Sequence, residues 1–182
     1  HGTYRTAGGL HGVGASVVNA LSKELVATSR RDGATWEQHF TQGKPVAKPK
    51  RVGKARGTGT TVYFRPDATI FPKTTFDAGL IAERLETASY LHKGVKVVFE
   101  DESSGQRHVF HHDEGLLDYL QRILADRNTP AVHVAPFTVV REHTASNTRL
   151  NLVLQWTEST DEHLRSYVNG IPTGSGGTHE NG

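Results

Sequence analysis

The stretch GGLHGVG at residues 8–14 runs directly into ASVVNALS at residues 15–22. Four glycines in seven positions let the backbone adopt positive φ angles and pass close to a bound group. Apolar side chains then occupy one helix face, at Val13, Val17, Ala20 and Leu21. The first turn of a helix offers unpaired backbone N–H groups and a partial positive charge. The stretch therefore predicts a loop that holds the phosphate groups of a nucleotide, with a plain glycine-rich turn as the alternative.

The glycine spacing differs from both common nucleotide-binding sequences. It lacks the Gly-Lys-Ser/Thr ending of the P-loop, and it does not fit the G-x-G-x-x-G turn that follows a strand in dinucleotide-binding folds. Spacing alone therefore leaves the kind of nucleotide site open.

The composition is that of a globular protein with one or two domains. The 182 residues are 35% hydrophobic and 22% charged, which suffices for a hydrophobic core. No apolar run approaches the roughly 18 residues of a membrane span, and no signal-peptide pattern is present. Cysteine is absent, which excludes disulfides and thiolate zinc sites. We expect a cytoplasmic protein that does not enter a membrane.

The positive charge is concentrated in one segment, although the net charge is only +2. Residues 44–56, called the basic segment below, contain no acidic residue and carry six cations: Lys44, Lys48, Lys50, Arg51, Lys54 and Arg56. We interpret this segment as a solvated basic loop, with a DNA contact as the alternative.

Strand and helix patterns follow one another along the rest of the chain. A hairpin is predicted first, with strands at 25–30 and 35–41 around the turn Arg31-Asp32-Gly33. Next come a loop at 42–59, a strand at 60–64, a helix at 76–90 and a hairpin with strands at 95–100 and 107–111. A helix at 116–124 and strands at 137–142, 150–156 and 164–169 complete the pattern. We place a domain boundary near 105–112.

Three motifs in order resemble the ATPase subunit of bacterial type IIA DNA topoisomerases, the family formed by the B subunits of DNA gyrase and of topoisomerase IV. They are GGLHGVGASVVNALS at 8–22, GTTVYFRPD at 59–67, and SYVNGIPT at 166–173 followed by GGTH at 176–179. Other proteins share the ATP-binding fold, namely Hsp90, histidine kinases and MutL. Their glycine-rich motifs differ, and they lack the Gly-Gly-Thr-His segment. The residues of the third motif are closer to those of topoisomerase IV, although a single motif typical of one enzyme also occurs in the other.

The resemblance implies an α+β fold. Residues 1–108 would form the C-terminal part of a GHKL (Bergerat-type) ATP-binding α/β sandwich, incomplete at its N-terminus. Residues 109–182 would begin a ribosomal-protein-like βαβ transducer domain. We therefore expect a fragment that by itself binds nucleotide weakly and hydrolyses little ATP.

The resemblance also assigns residues to the ATP site. Backbone amides for the triphosphate would come from Gly9, Leu10, His11, Gly12, Val13, Gly14 and Ala15. Tyr4 and Arg5 match lid positions that contact the nucleotide, with arginine in place of the usual lysine. Thr60 matches the threonine beneath adenine, with packing in the core as the alternative. Arg31 matches a rim arginine that aminocoumarin inhibitors contact, with a solvated turn cation as the alternative.

No residue of this sequence is assigned to catalysis or to a metal. The family's general base, its magnesium-binding asparagine and the aspartate that reads adenine would precede His1. Adjacent strand residues point to opposite faces, so we interpret His111-His112-Asp113-Glu114 as surface polarity rather than a metal site. Asn169, Thr178 and His179 are interpreted as structural polar residues.

The implied function is that of an ATP-binding and ATP-hydrolysing subunit of a type II DNA topoisomerase. ATP with Mg²⁺ would order the lid, and two copies would close a clamp on double-stranded DNA. The implied partners are a second copy, the DNA-cleaving A-type subunit in an A2B2 tetramer, and aminocoumarin inhibitors. The alternative is a non-catalytic interaction module that kept the fold and lost nucleotide binding.

Overall fold

The computed structural model describes residues 13–174 of the chain. Helices and antiparallel strands are both present, so the predicted α+β class is confirmed. The chain divides into two compact units between Phe76 and Asp77. The boundary predicted at 108/109 concerns the domains of the family, and it stays a prediction.

Within residues 13–76, the first unit contains one short helix and a five-stranded antiparallel sheet. Its elements are α1 Gly14–Ala20, β1 Ser22–Arg31, β2 Ala34–Thr41, β3 Lys44–Pro45, β4 Lys50–Lys54 and β5 Gly59–Pro66. The sheet has the order β3-β2-β1-β5, and β4 also pairs with β2. The helix α1 packs against β1 and β2.

The β1–β2 hairpin closes at Asp32 and Gly33, as the sequence predicts. Both residues have positive φ angles, 53° and 72°. A two-residue turn of this kind matches the right-handed twist of the strands that it joins. The hairpin register pairs Arg31 with Ala34 and Ser29 with Trp36.

The predicted loop at 42–59 is wrong in part, because it contains strands β3 and β4. Gln42 and Gly43, with φ angles of 48° and 79°, turn the chain back after β2. β3 and β4 then pair with successive parts of the same edge of β2. All residues of both strands are exposed, so no alternation of apolar and polar side chains marks them in the sequence.

The described part of the second unit, residues 77–174, contains two helices and three separate hairpins. Its elements are α2 Ala78–Leu91, β6 Lys96–Asp101, β7 Gln106–His111, α3 Leu116–Arg127, β8 Phe137–His143, β9 Thr148–Leu154, β10 Tyr167–Val168 and β11 Ile171–Pro172. Strands pair as β6-β7, β8-β9 and β10-β11. The strand predicted at 164–169 is wrong in part, because only Tyr167–Val168 forms it.

Stacked rings lie at the centre of the second unit. Tyr90 of α2 and Tyr119 of α3 are buried and stack with their centroids 4.8 Å apart. His112 stacks on Tyr90 at 3.6 Å, and His111 pairs with Asp113 at 3.1 Å. The two adjacent histidines therefore have different partners. Within residues 13–174, no group of three His, Cys, Asp or Glu residues could hold a metal ion.

Candidate functional site

One face of the first unit's sheet carries two of the residues assigned to the ATP site. Side chains on a strand alternate between faces, and residues directly opposite each other on paired strands share a face. We call this surface the Thr60 face. Its members from β1, β2 and β5 are Leu25, Ala27, Ser29, Arg31, Trp36, Gln38, Phe40, Thr60, Val62 and Phe64.

Thr60 and Arg31 are diagonal neighbours on this face. Ser29 lies directly opposite Thr60, and Arg31 is two residues further along β1. The residues of such a diagonal pair are about 7–8 Å apart, and their Cβ atoms are somewhat closer. The register therefore brings together a hydroxyl and a guanidinium that are distant in the sequence.

Both side chains are accessible. Thr60 is exposed, so the alternative that it packs in a core is not found in the described part of the chain. The Arg31 side chain is 78% exposed and pairs with Asp32 at 3.2 Å. Thr61 and Arg30, their immediate neighbours, are also exposed but lie on the opposite face of the sheet.

Much of the Thr60 face is apolar and open. Trp36, Val62 and Phe64 are exposed, whereas Leu25 between them is buried. Val62 and Phe64 are neighbours on this face of β5, and Trp36 lies across β1 from them. The face therefore combines apolar area with a polar hydroxyl and a cation at one end.

A pocket of about 240 Å³ lies at the Phe64 end of this face. Phe64 meets Phe76 edge to face there, with ring centroids 5.9 Å apart. The lining residues are Val18, Leu21, Ser22, Phe64, Pro66, Phe71, Lys73, Thr74, Thr75 and Phe76. This pocket was not predicted from the sequence. Its available signal was the pair of phenylalanines at 71 and 76, which flank a polar segment.

The glycine-rich stretch is described only at its end. Tyr4, Arg5, Gly9, Leu10, His11 and Gly12 lie outside the described residues. Val13 is the N-cap of α1 and gives it no side-chain hydrogen bond. The N–H groups of the first helical turn also have no partner within the helix. Gly14 and Ala15 therefore present backbone donors, and Val18 further along α1 lines the pocket beside Phe64.

Asp67 connects the elements around this pocket through hydrogen bonds, a role that was not predicted from the sequence. Asp67 is 3% exposed, and its carboxylate accepts hydrogen bonds from Gln42 Nε2 at 2.5 Å, Thr69 N at 2.9 Å and Thr69 Oγ1 at 2.7 Å. Its backbone N–H donates to the carbonyl of Leu21 at 3.1 Å. Asp67 is the last residue of the motif at 59–67. Its carboxylate can accept several hydrogen bonds, and this was the available signal.

We predict that Asp67→Asn lowers stability at neutral pH. The hydrogen bonds from Gln42 and Thr69 hold the pKa of the Asp67 carboxyl below its usual value. Such a group stabilises the fold above about pH 4 and loses this effect as the pH falls through its lowered pKa. The variant should therefore lose less stability than the native chain between about pH 5 and pH 3. Urea unfolding at a series of pH values measures both effects.

The matched control for this prediction is Asp32→Asn. Asp32 is exposed and has a positive φ angle, which asparagine tolerates. We expect its unfolding curves to follow those of the native chain. Equal curves for the native chain and Asp67→Asn at all pH values would show that the buried carboxylate contributes nothing.

The chain is similar in sequence to the B subunits of two kinds of topoisomerase. A family model described as DNA gyrase B matches residues 115–182. The B subunit of DNA topoisomerase 4 from Bacillus subtilis is 38% identical over 182 residues, which is 100% of this chain and 27% of that protein. The B subunit of DNA gyrase from Campylobacter jejuni is 39% identical over 180 residues, 99% of this chain and 23% of that protein. The chain thus spans about a quarter of the length of these curated relatives.

Two solved structures have the same fold. The 43K ATPase domain of Thermus thermophilus gyrase B, in complex with an aminocoumarin, matches with a TM-score of 0.81 and 32% identity. The match covers 94% of this chain and 46% of that chain. The gyrase B protein of Myxococcus xanthus matches with a TM-score of 0.78 and 27% identity, over 87% of this chain and 46% of that one.

Proposed function

Because the chain belongs to the family of gyrase and topoisomerase IV B subunits, we propose that it is part of an ATP-operated clamp that acts on DNA. Its fold is that of part of the gyrase B ATPase region, as the sequence predicts. The observation that carries the proposal is the similarity of the whole chain, at 38–39% identity, to the B subunits of both enzymes. Accessible Thr60 and Arg31 on one sheet face support it further.

In this proposal the Thr60 face lies beneath the nucleotide. The Thr60 hydroxyl bonds the adenine edge or a water shared with it. Backbone amides of Gly9, Leu10, His11, Gly12, Val13, Gly14 and Ala15 hold the triphosphate, and Tyr4 and Arg5 close over it. An arginine beside phosphate can form two parallel hydrogen bonds.

Two components of hydrolysis are expected outside this sequence. Bound magnesium would neutralise phosphate charge. The resemblance assigns its ligand, an asparagine, to a position that would precede His1. The general base that activates water is assigned there too. We therefore expect that a protein limited to these 182 residues turns over little ATP.

The proposed partners follow from the clamp. Two copies close around a segment of double-stranded DNA when ATP binds, while an A-type subunit cleaves and rejoins DNA in an A2B2 tetramer. Aminocoumarin inhibitors bind at the rim beside Arg31.

None of the helices within residues 13–174 has the length and apolar character to cross a membrane. We place the protein in the cytoplasm, where its DNA substrate would be.

ATP-dependent topoisomerase assays test this function. The full-length protein that carries this sequence would be combined with its A-type subunit and assayed for supercoiling and for decatenation. We expect at least one activity, dependent on hydrolysable ATP and accompanied by binding of a non-hydrolysable analogue. Preferential supercoiling would identify a gyrase, and preferential decatenation a topoisomerase IV. Failure to bind the analogue would instead favour the non-catalytic interaction module.

A further inference from the structure

The basic segment forms an edge of the sheet. β3 and β4 pair with successive parts of β2, and no strand within residues 13–174 pairs with their outer side. All six cations of the segment are exposed: Lys44, Lys48, Lys50, Arg51, Lys54 and Arg56. Cations therefore lie on both faces of this edge, with Arg51 and Lys54 on the Thr60 face and Lys50 on the opposite one.

The charge of this edge is not neutralised by neighbouring acids. None of the ion pairs found in the described part of the chain includes a cation of the basic segment. Glu37 lies opposite Lys50, but its carboxylate contacts His39 Nε2 at 2.7 Å. Asp32 is paired with Arg31. The edge thus keeps a positive charge that is available to an anionic partner.

The backbone of the basic segment is held at several points. The N–H of Val46 donates to the carbonyl of His39 at 3.0 Å, and the N–H of Ala55 donates to that of Gly33 at 3.0 Å. Gln38 Nε2 donates to the carbonyl of Ala47. Lys44, Lys50, Arg51 and Lys54 are therefore presented from strands, whereas Lys48 and Arg56 lie in the connections beside them, as in the loop that the sequence predicts.

We propose that this edge binds the phosphate backbone of double-stranded DNA without reading its sequence. A β-strand rises about 3.3 Å per residue, and a DNA duplex carries one phosphate charge per about 1.7 Å of its axis. The five residues of β4 thus extend over several phosphates. Lysine, the commonest cation here, contacts phosphate as a point charge and needs no formed pocket. The choice of DNA as the polyanion rests on the proposed function.

Binding of the full-length protein to a duplex of arbitrary sequence tests this proposal. The test variant carries Lys48→Gln, Lys50→Gln and Lys54→Gln. Its control carries Arg107→Gln, Arg122→Gln and Arg149→Gln, which remove the same charge from exposed cations that pair with acids. Fluorescence anisotropy would follow binding between about 50 and 200 mM salt.

The test variant should bind DNA at least about 100-fold more weakly at about 100 mM salt. The slope of log affinity against log salt should become about two to three units shallower, because each lost phosphate contact removes about 0.9. The control should change the slope by less than about one unit. Equal effects in the two variants, or no effect in the test variant, would overturn the proposal.

Two further measurements distinguish DNA binding by the basic segment from the proposed ATP-binding function and from binding of an acidic protein. Both variants should bind a non-hydrolysable ATP analogue like the native protein, so loss of DNA binding would not reflect a damaged nucleotide site. If the native protein fails to bind the analogue, the proposed function fails while the DNA comparison stands. Competition by polyglutamate tests an acidic protein as the partner. Binding of polyglutamate as tight as that of DNA, lost in the same variant, would contradict the DNA assignment.

Discussion

Replacement of Arg31 by alanine is expected to weaken binding of an aminocoumarin inhibitor by about 10- to 100-fold. Arg31 is largely exposed on the Thr60 face, and its one ion pair within the described residues is with the adjacent exposed Asp32. A hydrogen bond to a charged group contributes about 1.5–3 kcal/mol, which corresponds to this range of affinity. Isothermal titration of the full-length protein with the inhibitor measures the change.

Arg30→Ala is the matched control for this prediction. Arg30 is the preceding residue of β1 and is also exposed, but its side chain lies on the opposite face. Its replacement should leave inhibitor affinity within about twofold of the native value. Equal losses in the two variants would mean that general charge, rather than a contact on the Thr60 face, attracts the inhibitor.

Thr60→Ala should weaken binding of a non-hydrolysable ATP analogue by about tenfold. A hydrogen bond between neutral groups contributes about 1 kcal/mol, and more when its loss leaves a partner unsatisfied. Because Thr60 is exposed in the described structure, the substitution removes a hydroxyl without opening a cavity in a core. The unfolding temperature without nucleotide should therefore stay unchanged.

The control variant Thr61→Ala distinguishes loss of the Thr60 hydroxyl from a general disturbance of strand β5. Thr61 has the same chemistry, the same exposure and the same strand as Thr60, but faces the other side of the sheet. Analogue affinity should remain at the native level. Unchanged affinity in Thr60→Ala would contradict the assignment of Thr60 to the adenine site.

Local patterns predict the elements with a buried face. The hairpin around Asp32 and Gly33 was predictable because a two-residue turn with positive φ angles has a strong sequence preference. The helix at Ala78–Leu91 was predictable from its apolar spacing, and its N-cap Asp77 accepts a hydrogen bond from Leu80 N at 3.0 Å.

Strand β4 and the role of Asp67 were not predictable by the same means. β4 is exposed on both faces, so its residues carry no alternation, and its formation depends on backbone hydrogen bonds to β2. Asp67 is buried through contact with Gln42, a residue 25 positions away. Such a contact is not encoded in the spacing of apolar side chains or in the residues next to Asp67 in the sequence.

The sequence by itself determined the family, through three ordered motifs, and it named Thr60 and Arg31 as members of the site. Only the tertiary structure decided that these two side chains share a face of the sheet. That result depends on the register between β1 and β5, which pairs Ser29 with Thr60. Side chains on a strand alternate between the two faces of the sheet. A shift of one residue in the register between β1 and β5 would therefore place Arg30 on the Thr60 face and Arg31 on the opposite face.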